Sequence, residues 1–156
     1  MENTRLTIWA NGKEGVVENT PEAMTDLFAG PIISSYSRAQ AIEDGVLVDV
    51  SETSREAGIK FPVAITRGVF DECVALPEGY HGLQDERGRL WDVISMLRFA
   101  LRRASGDRLH YGVLVRGVTK QLRDDQRPPR LHKLWAQCGP GDTPEPVITV
   151  MLPGED

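Results

Sequence analysis

The sequence predicts an α+β domain in which a C-terminal antiparallel sheet is packed by one long helix and several short N-terminal helices. Three observations predict this fold: a long amphipathic pattern over residues 86–105, three alternating strand patterns after it, and short helix and strand patterns before it. The chain has 156 residues, 40% of them hydrophobic and 26% charged, which is ordinary for one globular domain. We expect a variable N-terminal extension over residues 1–31 and a single α+β domain over residues 32–156.

The N-terminal part predicts short elements that end at glycine or proline. Residues 5–10 alternate in polarity and stop at Asn11-Gly12, which predicts a strand that enters a hairpin. Thr20 and Pro21 are typical of a helix start. The elements that follow are a strand over 32–36, a helix over 38–44 that Ser37 caps and Gly45 ends, and a strand over 46–50. A further short helix then begins at Ser51 or Thr53, runs through Ala57 and ends at Gly58.

Residues 61–75 predict one short apolar segment and one helix. Pro62 argues against a central strand over residues 61–66, because proline cannot donate a ladder hydrogen bond. Residues 67–75 have helical spacing, which places Val69 and Cys73 on one side of a helix.

The strongest single pattern is the long helix over residues 86–105. Asp85 can cap its start, and a glycine at position 106 can end it. Its apolar stripe recurs at steps of four and three and should face the sheet: Leu90, Ile94, Leu97, Leu101 and Ala104. Trp91, beside this stripe, and Trp135 are predicted to anchor the core. The arginines of the last turns should lie on the outer face.

Three strand patterns follow the helix. Residues 109–116, 131–138 and 146–152 each alternate or are apolar, and short links join them. Sequential strands with short links predict an antiparallel meander. The link over residues 117–130 is polar and basic, which predicts a hairpin tip.

The charge of the chain is unevenly distributed. The formal net charge is −5, with −8 on residues 1–85, +7 on residues 86–133 and −4 on residues 134–156. This asymmetry predicts an interaction surface, and interleaving of the charges within the fold is the alternative explanation. The candidate partner-binding residues are basic side chains of the middle segment and one aromatic residue of the extension: Arg98, Arg102, Arg103, Arg123, Arg127 and Trp9.

The sequence contains no pattern of known catalytic or metal chemistry. Its 3 histidines and 2 cysteines are scattered, and it has no glycine-rich phosphate loop. We therefore predict no catalytic residue, no metal and no cofactor. Cys73 and Cys138 are expected to be reduced thiols of a cytoplasmic protein, because the chain shows neither a secretory signal nor a run of about 20 apolar residues.

Three stretches resemble an uncharacterised family of small bacterial proteins that occur on plasmids, phages and other mobile elements. The stretches are residues 36–50 (YSRAQAIEDGVLVDV), 88–93 (GRLWDV) and 138–156 (CGPGDTPEPVITVMLPGED). The resemblance extends from about residue 32 to residue 156, and it implies no established activity.

The resemblance implies a non-enzymatic binding protein of a mobile genetic element that acts on a host macromolecular complex. An anti-defence role, such as blocking a CRISPR nucleoprotein complex, is its most specific form, since the acidic flanks could meet a basic nucleic-acid channel. The expected partner is a host protein or nucleoprotein complex. The sequence leaves undecided whether the protein forms a homodimer, and no membrane partner is expected.

Two alternatives accompany this interpretation. Residues 32–50 are similar to the strand–helix–strand opening of ADP-ribosyltransferase-like folds, in which a basic residue of the first strand holds a nicotinamide dinucleotide. This resemblance implies an enzyme in which Arg38, with Tyr36 nearby, binds the dinucleotide, although the later catalytic glutamate of such folds has no clear counterpart here. The second alternative is a nucleic-acid-binding accessory protein that uses the basic segment, and the net charge of −5 disfavours it.

Overall fold

The computed structural model describes residues 5–10, 13–18 and 36–155, and the contacts divide the chain into two compact units, Met1–Tyr36 and Ser37–Asp156. In the first unit, strands β1 (Arg5–Ala10) and β2 (Lys13–Glu18) pair antiparallel, which confirms the predicted hairpin. The helix predicted at Thr20 and residues 32–35 of the next predicted strand lie outside the described residues.

The second unit contains short helices and strands, then one long helix and three longer strands. In chain order its elements are α1 (Arg38–Glu43), β3 (Leu47–Asp49), α2 (Ser51–Glu56), β4 (Val63–Thr66), α3 (Arg67–Val69), a π-helical turn (Phe70–Val74), α4 (Glu86–Leu101), β5 (Arg108–Val115), β6 (Arg130–Pro140) and β7 (Pro146–Met151). The α+β class is confirmed.

Local capping chemistry fixes the helix ends. The Ser37 hydroxyl accepts from the Gln40 backbone N–H, and the Gln40 side chain accepts from the Ser37 N–H, so α1 begins with a complete capping box. Asp85 caps α4 in the same way by accepting from Gly88 N–H. The helix α4 ends at Leu101, earlier than predicted, and the chain reverses at Gly106, whose φ of 104° favours glycine.

The sheet has five strands in the order β3-β4-β7-β6-β5. The pairs β5–β6 and β6–β7 are antiparallel, which confirms the predicted meander, whereas β4 pairs parallel with β7, so the sheet is mixed. The expectation that Pro62 argues against a central strand is wrong, because β4 lies between β3 and β7. Pro62 precedes the first residue of β4, so its missing N–H lies outside the ladder, and its carbonyl accepts from Ile148 N–H at 2.9 Å.

One face of this sheet carries the main core. Val93, Ile94 and Leu97 of α4 are fully buried against the sheet, as the helical periodicity predicts. Residues from the interior strands, including Ile65 and Val150, are equally buried in the same cluster. The prediction for Trp91 is wrong, because its side chain is 42% exposed.

The helix predicted over residues 67–75 is present, but its geometry changes from α-helical to π-helical after Val69. The Thr66 hydroxyl caps α3, and the chain then widens into the π-helical turn. Arg89 of α4 donates from Nε to the Cys73 carbonyl at 3.1 Å and from Nη1 to the Ala75 carbonyl at 3.3 Å. These two bonds satisfy carbonyls at the end of the turn, where helical partners run out.

The opposite face of the sheet carries a smaller polar and aromatic layer. Trp135 is only 7% exposed there, and its Nε1 donates to the Leu152 carbonyl at 2.9 Å. His110 stacks beside it with ring centroids 5.9 Å apart, and the Arg108 guanidinium lies 4.5 Å from the Trp135 ring. The prediction that Trp135 anchors a core is confirmed, on the face away from α4.

Candidate functional site

The outer face of α4 combines exposed aromatic rings with arginines. Phe99 lies two residues after the buried Leu97, which turns it about 200° away from the core, and it is 58% exposed. The Arg102 guanidinium lies 5.9 Å from the Phe99 ring, within cation–π distance. Aromatic residues and arginine are the residue types that dominate protein–protein binding hot spots.

Three of the predicted partner-binding residues lie at the C-terminal end of α4: Arg98, Arg102 and Arg103. All three are exposed, and none forms an ion pair with any residue in the described part of the chain. Arg98 lies across the end of α2, because a Cβ placed on Gly58 would be 3.5 Å from its Nε. The negative end of the helix dipole favours these cations there.

A groove separates this helix end from the edge strand β5. It has a volume of about 690 Å³ and is lined by Met96, Phe99, Leu109 and Tyr111, among others. Arg103 also lines it. The groove is therefore apolar on its walls and basic at its rim, which suits a partner with apolar side chains and negative charge.

The other two predicted arginines lie elsewhere. Arg127 donates from Nε and Nη2 to the Asp125 carboxylate, at 2.9 and 2.6 Å to Oδ2, and these bonds lower the pKa of Asp125 to about 2. Arg123 donates from Nε to His81 Nε2 at 3.2 Å. The guanidinium groups of Arg123 and Arg127 thus have hydrogen-bond partners nearby. Those of Arg98, Arg102 and Arg103 have none among the described residues.

The loop over residues 117–130 belongs to the opposite end of α4. The Asp124 carboxylate accepts from the Tyr80 hydroxyl, from Leu83 N–H at 2.9 Å and from Gln84 Nε2 at 2.8 Å. These donors precede α4 in the chain, so the loop lies near the helix start, about 24 Å along the axis from the helix end. The structure therefore does not bring Arg123 and Arg127 together with the arginines on α4.

Arg38 holds α1 against the sheet. Its Nη1 donates to the Thr149 hydroxyl at 2.7 Å, and its Nη2 donates to the Ile148 carbonyl at 3.0 Å. The backbone N–H of Arg38 donates to the Asp142 carboxylate at 2.7 Å. Burial lowers the pKa of Arg38, and the Asp49 and Asp142 carboxylates oppose this shift, so the side chain stays charged.

These bonds bear on the enzymatic alternative. A nicotinamide dinucleotide would have to compete with Thr149 and the Ile148 carbonyl for the Arg38 guanidinium. Tyr36, its proposed neighbour, is 57% exposed. The cofactor-binding role of Tyr36 and Arg38 stays a prediction.

Replacing Arg38 by alanine is expected to lower the free energy of unfolding by about 1.5–3 kcal/mol, because it removes two hydrogen bonds from a charged, half-buried group. Arg55→Ala is the control, since Arg55 is an exposed arginine on α2 whose side chain forms no described bond. Urea denaturation of both variants measures the difference. Equal midpoints for the two variants would contradict the structural role.

The remaining candidate from the extension is Trp9. Its backbone pairs with Glu14 in the hairpin, and its side chain lies outside the described part of the structure. Its role as a partner contact stays a prediction.

The described residues offer little for nucleophilic or metal chemistry. Burial raises the pKa of the Cys73 thiol to about 11, with a further contribution from Glu72, so the thiol is protonated near neutral pH. No group of three or more His, Cys, Asp or Glu side chains that could hold a metal ion occurs in this part of the chain. Within the same residues, no helix is long and apolar enough to cross a membrane.

Comparison with known families identifies the chain. The model of a family of unknown function, DUF6573, matches residues 24–156. The chain belongs to this family. No curated protein and no solved structure matches it. Because DUF6573 is a family of unknown function, membership assigns no activity to the chain.

Sequence reasoning identified the arginines of this DUF6573 protein but missed the apolar part of the surface. Phe99, Met96 and Trp91 are all exposed on α4. A helical wheel of residues 86–101 could have predicted that Phe99 is exposed, because it lies opposite the apolar stripe that contains Leu97. The groove depends on the approach of β5 to α4, which no local pattern encodes.

Proposed function

We propose that the protein is a non-enzymatic binding protein that recognises an acidic surface of a macromolecular partner through the outer face of α4. The observation that carries this proposal is the cluster of three exposed arginines, without ion pairs to described residues, beside the exposed ring of Phe99. Trp91 is a second exposed aromatic residue, nearer the start of the same helix. A surface that served only solubility would not need large exposed aromatic rings next to arginines that form no ion pair with a described residue.

The resemblance to proteins of mobile genetic elements supports a host complex as the partner. A host protein or nucleoprotein complex with an acidic surface fits the arginines, and a defence complex of the CRISPR type is the most specific form of the proposal. The net charge of −5 argues against direct, sequence-independent binding to nucleic acid, because the whole molecule is repelled by phosphates.

Replacing Arg98, Arg102 and Arg103 together by alanine is expected to leave stability nearly unchanged, by no more than about 0.5 kcal/mol for each exposed position. Partner binding should fall by about tenfold or more, because hot-spot arginines would be lost. The experiment captures partners from host extract with the purified protein and compares the amounts recovered. It is repeated at rising salt, which should weaken wild-type capture.

The matched control replaces Lys60, Lys120 and Lys133 by alanine. This triple variant removes the same charge from exposed positions that lie outside α4. A partner that both triple variants retain equally at low and high salt would place the interface elsewhere. If the recovered partner is nucleic acid alone, the accessory nucleic-acid-binding alternative replaces the proposal.

A direct assay of group transfer distinguishes the enzymatic alternative from the proposed binding function. The purified protein is incubated with a labelled nicotinamide dinucleotide and host extract. Transfer of label to an acceptor, lost in Arg38→Ala at a temperature where that variant is folded, would overturn the non-enzymatic proposal.

A further inference from the structure

The strand β5 is a long sheet edge. It contains eight residues, Arg108–Val115, and among the described strands β6 is its only neighbour in the sheet. The other edge strand, β3, has three residues. Proteins usually shorten, cover or interrupt their edge strands, because unpaired backbone groups are a template for another strand. No proline or bulge interrupts β5, whose register with β6 is continuous.

The ladder shows which backbone groups of β5 point outward. Cys138 N–H donates to the carbonyl of Asp107, the residue that continues the β5 register opposite Cys138, at 2.7 Å. In an antiparallel ladder, bonded and non-bonded pairs alternate, so the odd-numbered residues face β6. The even-numbered residues point N–H and C=O away from the sheet: Arg108, His110, Gly112 and Leu114. No backbone hydrogen bond to these outward groups occurs within the described part of the chain.

The groove beside α4 continues along this edge. A strand added to β5 would point alternate side chains toward α4, into the walls formed by Met96 and Phe99. Its intervening side chains would emerge on the opposite face, beside His110 and Arg108. The apolar walls therefore favour an apolar residue at every second position of the added strand.

The charges beside the edge are basic on both faces. Arg102 and Arg103 line the groove at the end of α4, and Arg108 is exposed on the opposite face. In the described part of the chain, none of the three forms an ion pair. A segment that carries carboxylates would gain electrostatic complementarity on either face.

We propose that an extended, acidic segment of a partner protein, with apolar residues at alternate positions, binds by adding a sixth strand to the sheet along β5. This inference rests on the proposed function and names the form of its partner. Main-chain hydrogen bonds to the outward groups of β5 supply affinity, and the groove and the arginines supply selectivity.

The test uses the full chain and a fluorescein-labelled peptide of alternating valine and glutamate with acidic ends. Fluorescence anisotropy measures its affinity for wild type, His110→Pro and His110→Ala. Proline removes the outward N–H of His110, and alanine keeps it, so the pair isolates the backbone donor. We expect His110→Pro to bind the peptide about tenfold more weakly than His110→Ala, because both variants lose the imidazole and only the first loses the backbone donor.

A second measurement covers the case in which His110→Pro does not fold. Hydrogen exchange of the wild-type protein should slow at the N–H groups of His110 and Leu114 when the peptide is present. The N–H groups of Leu109 and Val113 face β6 and should not change. A peptide that is N-methylated at alternate residues should not bind, because its donors are blocked.

Four outcomes would overturn the proposal. The first is equal binding of the peptide to both His110 variants, and the second is undiminished binding of the N-methylated peptide. Either result, with binding still lost in the triple variant of Arg98, Arg102 and Arg103, removes strand addition and leaves the proposed function standing. The third is the absence of peptide binding to wild type, after which extract capture alone tests the proposed function. The fourth is a dimer in sedimentation analysis that His110→Pro dissociates, which would make a second copy the occupant.

Discussion

Replacing Leu97 by alanine is expected to lower the free energy of unfolding by about 2–5 kcal/mol, the largest single effect on the main core. Leu97 is 0% exposed and lies between α4 and the sheet, so truncation leaves a cavity and removes apolar surface from burial. Urea denaturation monitored by circular dichroism measures the change, through the midpoint at constant slope.

The control for Leu97 is Phe99→Ala on the same helix. Phe99 faces solvent, so its truncation should change stability by no more than about 0.5 kcal/mol while weakening partner binding. Similar losses of stability for the two variants would mean that α4 packs on a different face. This pair therefore tests the orientation of the helix on which the proposed interface depends.

Replacing Trp135 by alanine is expected to cost about 3–5 kcal/mol, the second large effect. The ring is buried on the sheet face away from α4, where His110 and Arg108 contact it, and its Nε1 donates to the Leu152 carbonyl. Trp135→Phe should cost less, because it keeps most of the apolar contact and loses the hydrogen bond. Thermal denaturation of the wild type, Trp135→Phe and Trp135→Ala should give melting temperatures that fall in that order.

Leu131→Ala is the control for Trp135. Leu131 lies four residues earlier on β6, on the same face, and is exposed. Its truncation should leave the unfolding transition nearly unchanged. If Leu131→Ala and Trp135→Ala are equally mild, the aromatic layer contributes no second core to the fold.

Local chemistry made much of this fold predictable. The α4 helix follows from an apolar stripe and the Asp85 cap, and α1 follows from Ser37 and Gly45, because capping and periodicity act over a few residues. The meander follows from three sequential strands. The predicted end of α4 at residue 105 is wrong, because Ala104 extends the periodicity beyond Leu101, where the chain leaves the helix.

The parallel pairing of β4 with β7 could not be predicted, because it joins segments far apart in sequence. Pro62 argued against a central strand here, because the sequence alone does not show that the hydrogen-bond ladder between β4 and β7 begins at Val63, one residue after the proline. The candidate site likewise has a part that was predictable from local sequence and a part that was not. Exposed arginines at the end of α4 were predictable from the helix, whereas the separation of Arg123 from them depends on how the 117–130 loop folds back.

The position of β7 has a consequence for synthesis. Although β7 is the last strand in the chain, it is the middle strand of the sheet, between β4 and β6. Before Pro146–Met151 leaves the ribosome, the described strands of this sheet can form two separate pairs, β3–β4 and β5–β6, each with an open edge facing the missing strand. Completion of the sheet therefore waits for residues 146–151, and a ribosome that stalls shortly before residue 146 would display two aggregation-prone edges.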